Sequence, residues 1–138
     1  MKLKVFITVV LALVTVSWGS HAFDPERYGL EDLLYMELRT GRVVIEMRPE
    51  LAPLHVARIT ELARQGFYDG LTFHRVIEDF MAQTGDPNGD GTGGSGVPLK
   101  AEFNIARHLR GTVSMARAGD PDSADSQFFI MLAPAPHL

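Results

Sequence analysis

Residues 73–83 read Phe-His-Arg-Val-Ile-Glu-Asp-Phe-Met-Ala-Gln and form the most informative stretch of this 138-residue chain. Two short β-prone runs flank Glu78-Asp79-Phe80, which we interpret as a three-residue hairpin loop. With that loop, Arg75 lies opposite Gln83 on the same face, because directly opposed residues of an antiparallel pair point the same way. A two-residue loop would instead place Arg75 opposite Ala82. The segment therefore predicts an arginine beside a glutamine on one face of a strand pair.

Further strands are predicted on both sides of this segment. The first strand of the hairpin is expected to span residues 71–77 and the second residues 80–84, followed later by strands at 111–116 and 127–132. On the last strand Gln127 and Phe129 are two residues apart, so they share a face. One arginine, two glutamines and several apolar side chains are thus expected to converge on one surface.

Towards the N-terminus the pattern predicts a hairpin and then a helix. The β-rich runs 34–39 and 42–47 flank Thr40-Gly41, a two-residue glycine turn. Apolar residues then recur near the helical period from residue 54 to 65, and Gly66 follows at the position that favours a helix C-terminus. Many short strands, one helix and glycine-rich loops predict a mainly β domain, either a barrel or a sandwich with a helical cap.

The glycine-rich segment 85–96 is interpreted as a loop. Part of it matches the letters of a dinucleotide fingerprint, but it does not link a strand to a helix within a βαβ unit. Asp86, Asn88 and Asp90 resemble the start of an EF-hand, yet Val97 stands where the bidentate glutamate belongs, so calcium binding is expected to be weak or absent. The histidines lack metal-ligand spacing, and neither a metal nor a cofactor is predicted.

Composition narrows the functional classes. The chain is 46% hydrophobic with a formal net charge of −4, as expected for one globular domain, and its basic residues form no stripe of the kind that nucleic acids require. It has no cysteine, which excludes disulfides and a thiol nucleophile. A nucleic-acid partner is therefore not expected.

The N-terminus predicts export. Lys2 and Lys4 precede an apolar run over residues 5–16, and the small residues Ser20 and Ala22 follow as signal peptidase requires. An uncleaved membrane anchor is the alternative, but the run is shorter than the ~20 residues that span a bilayer. A buried first helix is disfavoured because the run is apolar all round. We expect cleavage after Ala22, export to the bacterial periplasm and no membrane span in the mature chain.

Five motifs together carry a resemblance to a known family. They are Phe-His-Arg-Val-Ile at 73–77, Phe-Met-Ala-Gln at 80–83, Gly-Thr-Gly-Gly at 91–94, Ser-Met-Ala at 114–116 and Ser-Gln-Phe-Phe-Ile at 126–130. Their sequences and their order resemble those of the cyclophilins. The resemblance extends from about Tyr35 to the last residue. The resemblance implies a cyclophilin-like eight-stranded closed antiparallel barrel with helical caps, peptidyl-prolyl cis/trans isomerase (rotamase) activity in protein folding, and no cofactor. The implied partners are proline-containing peptides and unfolded proteins.

The resemblance also implies site residues by position. Arg75 resembles the catalytic arginine, and Gln83 resembles the residue that steadies that arginine and the substrate backbone. Other substrate-binding positions fall into three groups: the proline pocket (Phe80, Met81, Phe129 and Leu138), contacts to the residues before proline (Ala116, Arg117 and Gln127), and the loop bordering the groove (Gly91).

Several positions depart from the family pattern. Glu78-Asp79 replaces a common Pro-Gly turn, and His137 stands where cyclosporin-sensitive members have tryptophan. Weak cyclosporin binding is therefore expected, and an affinity as tight as that of tryptophan-bearing members would contradict this. Residues 133–138 stand where the family continues with two further strands and a second helix, so those elements are expected to be missing.

These patterns divide the chain into a signal peptide at 1–22, a lead-in segment at 23–33 and an isomerase domain at 34–138. Two other functions remain as alternatives: a non-catalytic proline-peptide-binding or chaperone module, and an inactive truncated fragment.

Overall fold

The computed structural model describes residues 2–4 and 32–138. Its elements in chain order are β1 (Lys2–Lys4), β2 (Leu33–Leu38), β3 (Gly41–Glu46), α1 (Pro53–Arg64), β4 (Arg75–Ile77), β5 (Met81–Thr84), β6 (Val113–Met115), a short 3-10 helix (Pro121–Ser123) and β7 (Phe128–Met131). This is the mainly β composition that the sequence predicts, with one α-helix among the described residues.

The first sheet has the order β1-β2-β3 and is antiparallel. The predicted hairpin between β2 and β3 is confirmed, but its turn is Arg39-Thr40, one residue earlier than expected. Gly41 instead opens β3 and pairs with Leu38. Leu34 and Met36 are buried, as their period-two spacing on one face requires.

The second sheet has the order β4-β5-β7-β6, also antiparallel. The predicted three-residue loop is confirmed, because Arg75 pairs with Gln83 and Ile77 with Met81. The first strand is shorter than predicted and begins only at Arg75. Before it, the carbonyl of Thr72 accepts a hydrogen bond from the Thr84 hydroxyl at 2.9 Å, so a side chain rather than a strand ladder holds this backbone.

Helix α1 matches the predicted helix closely. It begins at Pro53. Proline is tolerated in the first turn of a helix because the N–H groups there have no partner within the helix. The helix ends at Arg64, and Gly66 follows with a φ of 74°. No side chain at the N-cap accepts from the first turn. The carboxylate of Glu102, far along the chain, accepts instead from the N–H groups of Leu54 and His55, at 3.0 and 2.9 Å.

Two apolar clusters fill the interior of the described region. The larger cluster joins the first sheet, α1 and one face of the second sheet; its buried members are Leu34, Met36, Ile45, Ile59, Leu62, Ala63, Tyr68 and Phe128. The smaller cluster lies on the other face of the second sheet. It consists of buried Met81, Met131 and Ala135, with Phe80 and Phe129 packed against it. Phe128 and Phe129 thus enter different clusters, since successive strand residues point to opposite faces.

The closed barrel with helical caps is not what the described residues form. Among residues 2–4 and 32–138 the strands belong to two separate sheets, and β3, β4 and β6 each pair with one neighbour. A closed barrel requires every strand to pair on both sides. The coarser prediction of a mainly β fold with one helix is confirmed, and the prediction of a closed barrel is corrected.

The predicted signal peptide and lead-in segment lie largely outside the described residues. Within the predicted signal peptide, Lys2–Lys4 is described and forms β1. Within the predicted lead-in segment, Leu33 is the first residue of β2. Within the part of the chain that the structure describes, no helix is long and apolar enough to cross a bilayer.

Candidate functional site

One row of side chains crosses the second sheet on a single face. Arg75 is opposite Gln83, Gln83 is opposite Phe129, and Phe129 is opposite Ser114. Opposed residues of antiparallel strands share a face, so the row runs from a cation through an amide and an aromatic ring to a hydroxyl. The sheet register alone therefore brings Arg75, Gln83 and Phe129 together.

A chain of hydrogen bonds orients the polar end of this row. Arg75 Nη1 donates to Gln83 Oε1 at 3.3 Å, and Gln83 Nε2 donates to Gln127 Oε1 at 2.8 Å. Gln127 Nε2 donates in turn to the carbonyls of Gly93 and Gly91, at 2.8 and 3.1 Å. Each amide has one accepting and one donating end, so the chain sets the orientation of both glutamines. The Arg75 side chain stays exposed at the start of the chain.

The apolar side of the row is the smaller cluster. Phe129 and Phe80 pack against buried Met81, and the predicted pocket residues Phe80, Met81 and Phe129 are therefore brought together. Leu138, also predicted for this pocket, is not among the residues packed in this cluster, and the residue is 57% exposed. The Phe80 ring instead stacks with His137 at a centroid distance of 5.9 Å.

A cavity of about 460 Å³ adjoins the glutamines. It is lined by Gln83, by Gly91 of the glycine-rich loop, and by the three residues assigned by resemblance to contacts before proline, which are Ala116, Arg117 and Gln127. The N–H of Ala116 donates to the carbonyl of Gln127 at 2.9 Å, which extends the sheet to the cavity wall. Arg117 is exposed, and its Nη1 donates to the carbonyl of Ala118 at 2.9 Å.

The glycine-rich loop is organised around one buried carboxylate. The oxygens of Asp86 accept from the N–H groups of Asn88 at 2.8 Å, Asp90 at 3.0 Å and Gly91. Burial raises the pKa of Asp86, but the backbone donors outweigh burial and hold this pKa below its ordinary value. Both carboxylate oxygens, which an EF-hand would offer to calcium, are thus engaged by N–H groups.

The end of the same loop is held by Asp125, a residue that sequence reasoning missed. Its carboxylate accepts from the Ser95 hydroxyl and from the N–H of Gly96 at 2.8 Å. Arg58 of α1 donates to the same hydroxyl at 2.7 Å. The loop that walls the cavity is thereby connected to the helix.

Sequence reasoning also missed His108 and Ser114 as neighbours of Phe129. Ser114 lies in the Ser-Met-Ala motif at 114–116, but the alternation of side chains along one strand does not indicate which residue of another strand it opposes. His108 lies in an irregular segment with no periodic pattern, and only the folded structure shows its neighbours.

Comparison with known proteins gives a consistent result. The family model described as "Cyclophilin type peptidyl-prolyl cis-trans isomerase/CLD" matches residues 33–138. A probable peptidyl-prolyl cis-trans isomerase of Brucella suis biovar 1 is 48% identical over 142 residues, which cover 94% of this chain and 69% of that protein. Peptidyl-prolyl cis-trans isomerase B of Bacillus subtilis is 50% identical over 107 residues, covering 75% of this chain and 74% of that protein.

Solved structures show the same likeness. A cyclophilin from Hirschia baltica superposes with a TM-score of 0.70 at 29% identity, over 78% of this chain and 59% of that one. A cyclophilin-type isomerase of Cryptosporidium parvum, crystallised in the presence of the dipeptide Ala-Pro, gives a TM-score of 0.69 at 32% identity. That match covers 72% of this chain and 67% of the other.

Proposed function

The chain belongs to the cyclophilin-type peptidyl-prolyl cis-trans isomerases, and we propose that it accelerates rotation about Xaa-Pro bonds through Arg75 and the apolar cluster beside it. The observation that carries this mechanism is the row of Arg75, Gln83 and Phe129 on one sheet face. In this row a guanidinium, an oriented amide and an aromatic ring lie next to one another, and these are the groups that the proposed mechanism uses.

The chemistry is non-covalent. Rotation about a peptide bond faces a barrier of ~18–20 kcal/mol because the nitrogen lone pair is shared with the carbonyl. Twisting the bond ends that sharing and makes the nitrogen more basic. A guanidinium near this nitrogen binds the twisted state better than either planar state, which is the condition for catalysis. Arg75 therefore needs no nucleophile or general base beside it.

The arginine supplies only part of the acceleration. A charge-assisted hydrogen bond contributes ~1.5–3 kcal/mol, which corresponds to roughly ten- to a hundredfold in rate. The remainder must come from holding the proline ring while the preceding carbonyl swings. The cluster of Met81, Met131 and Ala135 with Phe80 and Phe129 offers the apolar surface for the ring.

The hydrogen-bond chain and the cavity supply orientation. Gln83 accepts from Arg75 and is itself held by Gln127, so the guanidinium is steadied from one side. The cavity beyond Gln83 offers space for the residues before proline. Proline-containing peptides and unfolded proteins are the proposed substrates, and the Ala-Pro dipeptide present with the Cryptosporidium relative supports that class.

The test is the exchange rate of a short Ala-Pro-containing peptide, measured by NMR for the wild-type chain and for Arg75→Ala. We expect kcat/KM to fall about ten- to a hundredfold in the variant, since one charge-assisted contact to the twisted state is lost. Arg39→Ala removes an exposed arginine in the turn between β2 and β3 and should leave the rate unchanged. An Arg75→Ala rate equal to wild type would refute the arginine mechanism.

The same experiment separates catalysis from binding alone. A proline-peptide-binding or chaperone module would bind the peptide in a manner that depends on Phe129, yet leave the exchange at its uncatalysed rate. An inactive fragment would neither bind nor accelerate.

We also propose export, with cleavage after Ala22. This rests on the basic start, the apolar run and the small residues before the cleavage point. Cleavage would remove Lys2–Lys4 and leave β2 as an edge strand of the first sheet. The expected result is a periplasmic protein whose N-terminal residue is Phe23, determined by mass spectrometry after expression in a Gram-negative bacterium. A full-length chain retained in the cytoplasm would contradict export.

A further inference from the structure

We propose that His108 is a positioning residue of the proline-binding cluster, acting through the ring of Phe129. The inference rests on the proposed function, because it assigns a role within the same site. The His108 ring stacks on Phe129 with a centroid distance of 6.0 Å and an angle of 16° between the planes. Two nearly parallel rings at this separation form the offset-stacked arrangement that stabilises aromatic pairs, so the His108 ring favours the observed orientation of the Phe129 ring.

The His108 ring is itself held in place. Its Nε2 lies 3.1 Å from the Ser114 hydroxyl. Ser114 is directly opposite Phe129 in the β6–β7 pair, so its side chain lies on the same sheet face as the aromatic ring. Histidine, serine and phenylalanine therefore form a closed set of neighbours at the end of the row farthest from Arg75.

The backbone of His108 reaches the same cluster. Its carbonyl accepts from the N–H of Ala135 at 2.8 Å, and Ala135 is buried with Met81 and Met131. The segment around residue 108 is thus attached both to the aromatic ring and to the buried side chains on which that ring packs. His108 is partly buried and contacts both Phe129 and Ser114, which a solvated surface side chain would not do.

The position of His108 determines which kinetic constant should change. Arg75 on β4 is separated from Phe129 on β7 by strand β5, so loss of the His108 ring leaves the guanidinium and its bond to Gln83 in place. A mobile Phe129 ring would instead weaken the hold on the proline ring. KM should therefore rise about two- to tenfold, the size expected when one aromatic pair is lost, while kcat changes by less than about twofold.

The experiment compares His108→Ala with His108→Phe, which keeps a stacking ring but loses the bond to Ser114. His108→Ala should raise KM for the peptide and weaken binding of the Ala-Pro dipeptide by the same factor, measured by NMR titration of the Phe129 ring signals. His108→Phe should restore both to within about twofold of wild type. Arg110→Ala, an exposed position in the same segment, is the matched control and should change neither.

The outcomes are distinguishable from failure of the proposed function. The inference would be overturned if His108→Ala had the KM and the dipeptide affinity of the wild type. If Arg75→Ala were still impaired, the proposed function would remain intact. A His108→Phe variant as weak as His108→Ala would also overturn the inference, because a ring alone would then not suffice. If the wild type bound the dipeptide without turnover, the function would fail, but the binding comparison would still decide the role of His108. Should His108→Ala fail to fold, His108→Leu, which fills the space without an aromatic ring, replaces it in the binding comparison with His108→Phe.

Discussion

Asp79 is the one described non-glycine residue with a positive φ, at 55°. It lies in the hairpin loop whose length sets Arg75 opposite Gln83. The left-handed region is disfavoured for residues with a Cβ, although aspartate tolerates it better than most. Asp79 therefore adopts the backbone that the loop requires, at a position where the resemblance implies a glycine.

This conformation predicts a strong dependence on side-chain shape at residue 79. Asp79→Val should lower the free energy of unfolding by about 1–2 kcal/mol, because a β-branched side chain is strained at positive φ. Asp79→Gly should stay within about 1 kcal/mol of wild type, since relief of strain and the entropy of glycine oppose each other. Urea unfolding measures both. Glu78→Val, outside the left-handed region, is the control, and equal losses at the two positions would contradict the explanation.

At the scale of elements, the glycine-rich loop depends on the charge of Asp86. Its carboxylate accepts three backbone N–H bonds, and the folded-state pKa is held below the unfolded value. A depressed pKa contributes stability that is complete above the unfolded pKa and is lost as the pH falls through the folded pKa. The loop that carries Gly91 and Gly93 to Gln127 is therefore expected to loosen in acid.

Asp86→Asn tests this expectation. The variant should melt at a lower temperature than wild type near neutral pH. The backbone N–H donors contact two carboxylate oxygens in the wild type, whereas the asparagine amide has only one accepting oxygen. The difference should shrink below about pH 4, where the wild-type carboxylate becomes protonated in the unfolded chain. Melting curves between pH 2.5 and 7 measure it, with Glu78→Gln as a control for the loss of one exposed carboxylate. A difference that is constant with pH would contradict the charge-based account.

At the scale of the whole molecule, a segment far along the chain supplies the hydrogen-bond acceptor for the N-terminus of α1. Glu102 accepts from the N–H groups of Leu54 and His55, and its carboxylate also lies 3.3 Å from His55 Nδ1. An acidic group at a helix N-terminus satisfies unpaired N–H groups and complements the helix dipole. The segment after the glycine-rich loop is thereby attached to α1, which lies on the core between the sheets.

Loss of this long-range cap should destabilise the fold. Glu102→Ala should lower the free energy of unfolding by about 0.5–2 kcal/mol, as for other lost N-terminal caps. Glu102→Gln keeps one accepting oxygen and should lose less. Urea titration of both variants, with exposed Glu78→Ala for comparison, gives the values. An Ala variant as stable as wild type would show that water replaces the carboxylate at no cost.

Much of the local structure was predictable because it depends on near neighbours. The hairpin loop at Glu78-Asp79-Phe80 follows from two β-prone runs around three residues, and its register then determines that Arg75 faces Gln83. The extent of α1 follows from apolar spacing and from Gly66 after it. The start of β4 was predicted too early because residues 71–74 continue the β-prone pattern but form no ladder with β5, and the Thr72 carbonyl accepts from the Thr84 hydroxyl instead.

What the sequence determined by itself was the family, the local elements and the pairing of Arg75 with Gln83, since motif order, periodicity and turn length all act within a few residues. Only the tertiary structure decided that Gln127 bonds Gln83, that His108 stacks on Phe129 and that Leu138 stays exposed. It also decided that the described strands form two sheets rather than one closed barrel. These outcomes depend on contacts between segments that are far apart in the chain. A local sequence pattern does not specify which of the many possible distant contacts will bury apolar surface and satisfy the buried polar groups.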